Sequence, residues 1–245
     1  MHWHLPERRR SRLRFRRTRR MSSTCETFES RHLLAAAPVG IAFDMHYGEG
    51  GAAPLPLGLD YGFDVAADAS GRLLFAGGGG LARVTDAGVD DPAFGDNGHV
   101  ASPWPGNAQF AWWNALLVTA GDKAVVGGTL LYPADASRRT PVLARYADDG
   151  IPDGTFGPGS GPDRGVVYLF FKGLESATAD GGSVLDVAML PDGSYLAAGF
   201  VRYDDRPADP QDLALWKVLP DGTPDPSFGD GGLRVHDLSD GSEAV

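Results

Sequence analysis

The chain has 245 residues, 42% hydrophobic and 22% charged. Its longest apolar run, "LLAAAPVGIAF" at 33–43, falls short of the roughly 18 residues that carry a helix across a bilayer, so no membrane span is expected. The first 20 residues hold nine Arg and one Glu (+8), and the other 225 hold 13 Lys plus Arg against 31 Asp plus Glu (−18); so acidic a body repels nucleic acid and anionic lipid and argues against both as partners.

The basic stretch "RRRSRLRFRRTRR" is too poor in apolar residues to fold. It reads as a targeting segment, or as sequence ahead of a start at Met21, and residues 1–40 are set apart as a leader. Within it, Glu29-Ser30-Arg31-His32-Leu33-Leu34 resembles the short LEPR-x-LL segment of large bacterial surface proteins, with Phe28 where that segment has Leu and Ser30 where it has Pro. The single Cys, Cys25, follows Ser-Ser-Thr rather than an apolar lipobox, and the body has no Cys for a disulfide or a Cys-based zinc site.

From residue 41 onward the chain repeats itself. A strand, a turn and a strand recur as "DVAADASGRLLFAG" from Asp64, "NALLVTAGDKAVVG" from Asn114 and "DVAMLPDGSYLAAG" from Asp186. One Gly stands seven positions in (Gly71, Gly121, Gly193) and another thirteen positions in (Gly77, Gly127, Gly199). Gly between alternating apolar runs signals a hairpin, because it accepts the positive φ of a tight turn. Then Leu81, Leu143 and Leu215 are each followed thirteen residues on by Phe94, Phe156 and Phe228, with Gly next and an Asp (Asp91, Asp153, Asp225) three before. "DMHYGEGG" from Asp44 repeats "DPSFGDGG" from Asp225, with Tyr47 in the Phe place.

These markers predict four short antiparallel strands per unit, in units 44–94, 95–156 and 157–228, with "LRVHDLSDGSEAV" opening a partial fourth. The fold class expected is all-β: about three four-stranded blades, a partial or truncated β-propeller. The aromatic residues Tyr47, Phe94, Phe156 and Phe228 are expected to plug each blade against its neighbour. Two irregularities stand out: "GGGG" at 77–80 joins the second and third strands of the first unit directly, and a long insert around "VVYLFFKGLESATADGG" follows Phe156.

"LARYADDGIPDGTFG", "LWKVLPDGTPDPSFGDGG" and "DVAMLPDGSYLAAGF" resemble the bacterial delta-60 repeat family, and the likeness runs from about Ile41 to Val245. The resemblance implies an exported, propeller-like array with no assigned chemistry. Propellers close with about four to eight blades. Three leave open edges, which invite self-association.

Signals of catalysis are thin. No two His of the body stand at metal-ligand spacing, so His46 and His236 read as surface residues; "GPGSG" fails the nucleophile-elbow spacing, and neither Lys nor helix follows "GGGG" to hold a phosphate. The Asp-rich turns could hold Ca²⁺, but Asp in turns ordinarily caps its own backbone, and that reading is preferred. No catalytic residue, metal or cofactor is expected. Two equivalent segments, 129–141 and 200–212, carry Tyr132, Arg138, Arg139, Arg202, Tyr203 and Arg206, read as loops on one face of the array. Tyr and Arg are common anchors, so these residues read either as solvated loop side chains or as a face for a glycan or acidic polymer. Of Trp112 and Trp113, strand alternation puts one inside and one out. The function expected is a non-catalytic binding, adhesion or surface scaffold, extracellular or on the cell surface. A propeller-type lyase or hydrolase, or a truncated copy without a role of its own, is the alternative.

Overall fold

The computed structural model describes residues 44–53, 61–101, 110–132, 135–159, 163–169, 179–203 and 211–237. The leader read over 1–40, with its LEPR-x-LL-like segment and Cys25, lies outside the described residues.

The described residues form twelve strands and almost no helix. β1 (Tyr61–Ala67), β2 (Leu73–Gly78), β3 (Gly80–Val84) and β4 (His99–Ala101) pair antiparallel in sequence order. So do β5 (Phe110–Thr119), β6 (Lys123–Tyr132), β7 (Asp135–Tyr146) and β8 (Val166–Tyr168). The same holds for β9 (Ala179–Met189), β10 (Tyr195–Tyr203), β11 (Gln211–Val218) and β12 (Leu233–His236). One residue pair, Gly78 with Trp112, links the first group to the second, and one parallel pair, Arg139 with Gly181, links the second to the third. These two links string the three four-stranded sheets into one open twelve-stranded array.

Three sequence expectations shift. The short strand after each aromatic residue pairs backward, so the groups run on to Ala101, Tyr168 and His236 instead of ending at Phe94, Phe156 and Phe228. "LRVH" is therefore the last strand of the third group, not the start of a fourth, and the first residues of the expected insert are β8. The segments 129–141 and 200–212 are partly strand rather than loop: β6 and β7 stay paired as far as Tyr132 opposite Asp135, and β10 runs to Tyr203.

The third shift is one of register. Spacing aligns Gly77 with Gly127, but pairing aligns Gly77 with Gly128. Arg83, Arg145 and Lys217 lie opposite Leu74, Val125 and Leu196, and Gly77, Gly128 and Gly199 stand three residues beyond those. The cause is a shorter second hairpin: Thr119 pairs with Lys123, whereas the others close at Ala67 with Leu73 and Met189 with Tyr195. Asp122 then takes a positive φ of 55° in the place of Gly71 and Gly193, which Asp tolerates better than most residues. A Cβ on Gly128 or Gly199 would lie 1.9 Å from the carbonyl oxygen of Trp112 or Ser183, so only Gly fits where the neighbouring strand bulges.

Two apolar cores result, one between each pair of adjacent groups. Leu74, Ala76 and Leu81 of the first group bury against Ala124, Val126, Val142 and Ala144 of the second. On its other face the second group offers Val125 and Leu143 to Tyr195, Ala197, Ala214 and Trp216 of the third. Period-two alternation thus gives the second group two buried faces, one for each neighbour.

Candidate functional site

The four aromatic residues sit in one turn built four times. The side chains of Asp44, Asp91, Asp153 and Asp225 each accept the N–H two residues on, from His46, Ala93, Thr155 and Ser227. Their carbonyls accept the N–H of Tyr47, Phe94, Phe156 and Phe228 at 3.0–3.1 Å. A short side chain capping its own backbone makes such a turn rigid at little cost.

Each turn then meets the following group. The N–H of Gly48 donates to Ala87 O (2.9 Å), that of Gly95 to Asp149 O (2.8 Å) and that of Gly157 to Asp221 O (2.7 Å). The glycines next to those acceptors, Gly88, Gly150 and Gly222, all have positive φ, and a Cβ there would lie 3.0, 3.0 and 2.3 Å from the nitrogens of Gly48, Gly95 and Gly157. Arg83 and Arg145 complete the lock. Each guanidinium lies 4.6 Å over its own group's ring, Phe94 or Phe156, within cation–π range. Nε binds the turn carboxylate, Asp91 at 2.8 Å or Asp153 at 2.9 Å. Nη1 reaches forward to a carbonyl of the next group, Asp148 O at 2.5 Å or Pro220 O at 2.7 Å. The planar guanidinium fork aims separate N–H groups at the two partners at once. In the third group the place is held by Lys217, which binds Asp225 at 2.9 Å and Asp192 at 3.6 Å, both within its own group. Phe94 and Phe156 are wholly buried, whereas Tyr47 and Phe228 are half-buried.

The Arg83, Arg145, Lys217 series went unread in the sequence, although "LAR", "LAR" and "LWK" open the three motifs with a cation two residues after Leu. Burial would raise the Asp153 carboxyl, but hydrogen bonds from Lys123 and Thr155 and the Arg145 charge outweigh it and hold the group well below the usual carboxylate range. Hydrogen bonds from Ser227 and Lys217 bring Asp225 down to about 2.

Asp68, Asp122 and Asp148 bring carboxylate oxygens within 4.8 Å of one another. Their charge is met by arginine. Arg72 Nε binds Asp68, Arg72 Nη2 binds Asp122 at 3.2 Å and Asp148 at 2.8 Å, and Arg83 Nη1 binds the Asp148 carboxylate at 2.6 Å. The cluster is a bridge between the first two groups, and the turn carboxylates accept from backbone N–H groups and from arginine.

Of the residues read as a binding face, the side chains of Tyr132, Arg138 and Tyr203 and the whole of Arg206 lie outside the described residues. Arg139 and Arg202 are half-buried strand residues. The backbone brings them together: Gly181 of β9 pairs with Arg139 on one side and Arg202 on the other, which sets the two about two strand spacings, roughly 10 Å, apart. Arg139 lies 5.8 Å over the ring of half-buried Trp112, while Trp113 is fully buried in the core. His46 is exposed and His236 half-buried on β12. A cleft of about 30 Å³ between Tyr168, Trp216, Pro224 and Gly231 has room for about one water, not for a sugar ring.

A family described as "Domain of unknown function (DUF5122) beta-propeller" matches residues 190–228. That segment covers the third hairpin's second strand, β11 and the turn to Phe228. No curated protein matches the chain. Among solved structures, the extracellular domain of a one-component system, BT4673 of B. thetaiotaomicron, is similar at 9% identity over 75% of this chain and 30% of its own, with a TM-score of 0.26, too low to support an argument about fold. The chain thus spans less than a third of that relative's length. No helix among the described residues is long and apolar enough to cross a membrane.

Proposed function

We propose that the chain is a non-catalytic, exported repeat module of the delta-60 kind, three blades of a β-propeller-like array, serving as a binding or surface scaffold. The observation that carries this reading is the thrice-repeated lock, in which an aromatic-Gly N–H of one sheet meets the Gly turn of the next. It makes the array cohesive without spending any described carboxylate cluster on chemistry. The β-propeller family match over 190–228 supports the same architecture. An enzyme of this class would need free carboxylates or His converging from several sheets, and the cluster of Asp68, Asp122 and Asp148 is occupied by Arg72 and Arg83.

The ligand face of this reading is the neighbourhood of Gly181, where Arg139, Arg202 and Trp112 gather, with Arg138, Arg206, Tyr132 and Tyr203 near them in sequence. Cations beside an indole suit an acidic glycan, whose carboxylates pair with guanidinium while its ring stacks on Trp. A glycan array that includes uronic-acid polymers tests this. Binding by the parent and at least a tenfold loss with Arg139→Ala plus Arg202→Ala supports the reading; equal signals from the two proteins remove this face from it.

A further inference from the structure

The third sheet presents a forward face that no other group of described residues covers. In the first two groups that face is fully buried by the next group: Leu74, Ala76, Leu81 and Phe94 in the first, Val125, Leu143 and Phe156 in the second, are all 0% exposed. Register places Leu196, Ala198, Leu215 and Phe228 at the same positions of the third group, and all four are only half-buried. Beside them Leu213, opposite Phe200, is 37% exposed. The turn is already formed as in the internal junctions. Phe228 N–H donates to Asp225 O (3.1 Å), Gly232 N–H donates to Phe228 O (2.8 Å), and Gly229 has a φ of 55° against 56° at Gly95. Among the described residues no acceptor meets the Gly229 N–H.

The opposite end of the array is the complement. In the second and third groups the rear face is covered by the preceding sheet. In the first group it is covered only in part: Ala82 and Val84 are buried, Phe75 is half-buried, and Val65, opposite Phe75, is 53% exposed. The Gly88 turn on this side is met by Tyr47–Gly48. Residues 44–53 repeat the aromatic turn of a unit but none of its strands, so they fill the lock and leave the sheet face open.

We propose that the forward face of the third sheet docks the rear face of the first sheet of a second copy, with Phe228–Gly229 taking the Gly88 turn in place of the partner's Tyr47–Gly48. The occupant follows from the two internal junctions, where this forward face always meets this rear face. A head-to-tail contact of this kind either closes into a ring or runs on as a fibre. Two copies supply six sheets, within the four to eight with which propellers close. The inference rests on the junction geometry alone and stands apart from the glycan-binding reading.

Sedimentation velocity of the full chain over a wide concentration range tests it. The expected result is a concentration-dependent species of twice the chain mass. Leu213→Glu on the forward face and Val65→Glu on the rear face, both at positions the single chain leaves exposed, should each abolish it. Mixing the two variants should restore a weaker dimer, because one junction then joins two unaltered faces. Tyr47→Ala should move dimerisation to at least fivefold lower concentration by weakening the internal competitor. The proposal is overturned if the parent and the Tyr47→Ala variant both stay monomeric at hundreds of micromolar, if either Glu variant dimerises like the parent, or if the mixture stays monomeric.

Discussion

Phe156 and Phe228 occupy the same turn, with the same Asp three residues before and the same Gly after, yet one is wholly buried and the other half-exposed. The difference lies outside their own sheets. Phe156 has the next group's Asp221–Gly222 turn over it and that group's Tyr195 ring at right angles 5.8 Å away. Among the described residues Phe228 has neither. The turn is therefore a local structure that forms without a neighbour, and the neighbour adds burial. Local capping fixes shape, and packing between sheets fixes stability.

The comparison breaks most visibly on removal of the rings. Phe156→Ala removes a fully buried aromatic and its cation–π partner, for an expected loss of about 3–5 kcal/mol in urea unfolding. Phe228→Ala, half-buried at the open end, should cost about 1 kcal/mol in the monomer. Similar losses at the two positions would mean that the turn, not the junction, carries the energy. The glycines sharpen the same point. Gly121 and Gly222 both have positive φ, 77° and 89°, but a Cβ on Gly121 meets nothing within 4 Å, whereas one on Gly222 lies 2.3 Å from Gly157 N. Gly121→Ala should therefore show only the conformational penalty, about 1 kcal/mol, and Gly222→Ala should lose at least twice as much. Equal losses would show that the junction can open to admit a methyl group. A smaller effect is expected from the cations. Arg145→Lys loses the hydrogen bond to Pro220 O and the fork that spans two groups, worth about 1–3 kcal/mol. Lys217→Arg, with no described group ahead of it to reach, should stay within about 0.5 kcal/mol of the parent.

Much of this was legible in the sequence because the repeat is written in residues with steric reasons. Gly at positive φ, Asp capping its own turn and an aromatic residue at a fixed offset leave marks that spacing alone can find. The charged lock was harder to see, since a cation two residues after a Leu means nothing until strand pairing puts it opposite the turn. Register in the second hairpin was invisible for a similar reason. Adjacent Gly127 and Gly128 satisfy the spacing and the pairing respectively, and the shorter second hairpin, closing at Thr119 with Lys123, decides between them. The reading of 129–141 and 200–212 as loops failed because the Pro and Asp residues in both segments rank low as strand signals, and their pairing partners lie across the hairpin instead of beside them in sequence. Of that face the backbone brings together Arg139 and Arg202, through Gly181.

Acid titration tests the smallest difference between the two ends. A carboxyl whose value falls on folding contributes stability that is fully present above its unfolded value, 3.8, and is lost as pH drops through its folded value. Asp153, at an internal junction, answers to Lys123, Thr155 and Arg145, whereas Asp225 at the open end answers to Ser227 and Lys217 and falls to about 2. Between pH 4 and pH 2 the urea midpoint of the parent should therefore fall, with Asp153 contributing more to the slope than Asp225. Asp153→Asn keeps a side-chain oxygen to accept the Thr155 N–H but removes the titrating group, so the expected outcome is a protein less stable at pH 7 whose stability changes less from pH 4 to pH 2. Asp225→Asn should flatten that slope less. The slope rather than the level is the readout, because any damaging substitution lowers the level. An Asp153→Asn protein that loses stability with acid as steeply as the parent would mean that the cations at the internal junction are not what holds this carboxylate ionised, and the distinction between a covered and an open junction would then rest on apolar packing alone.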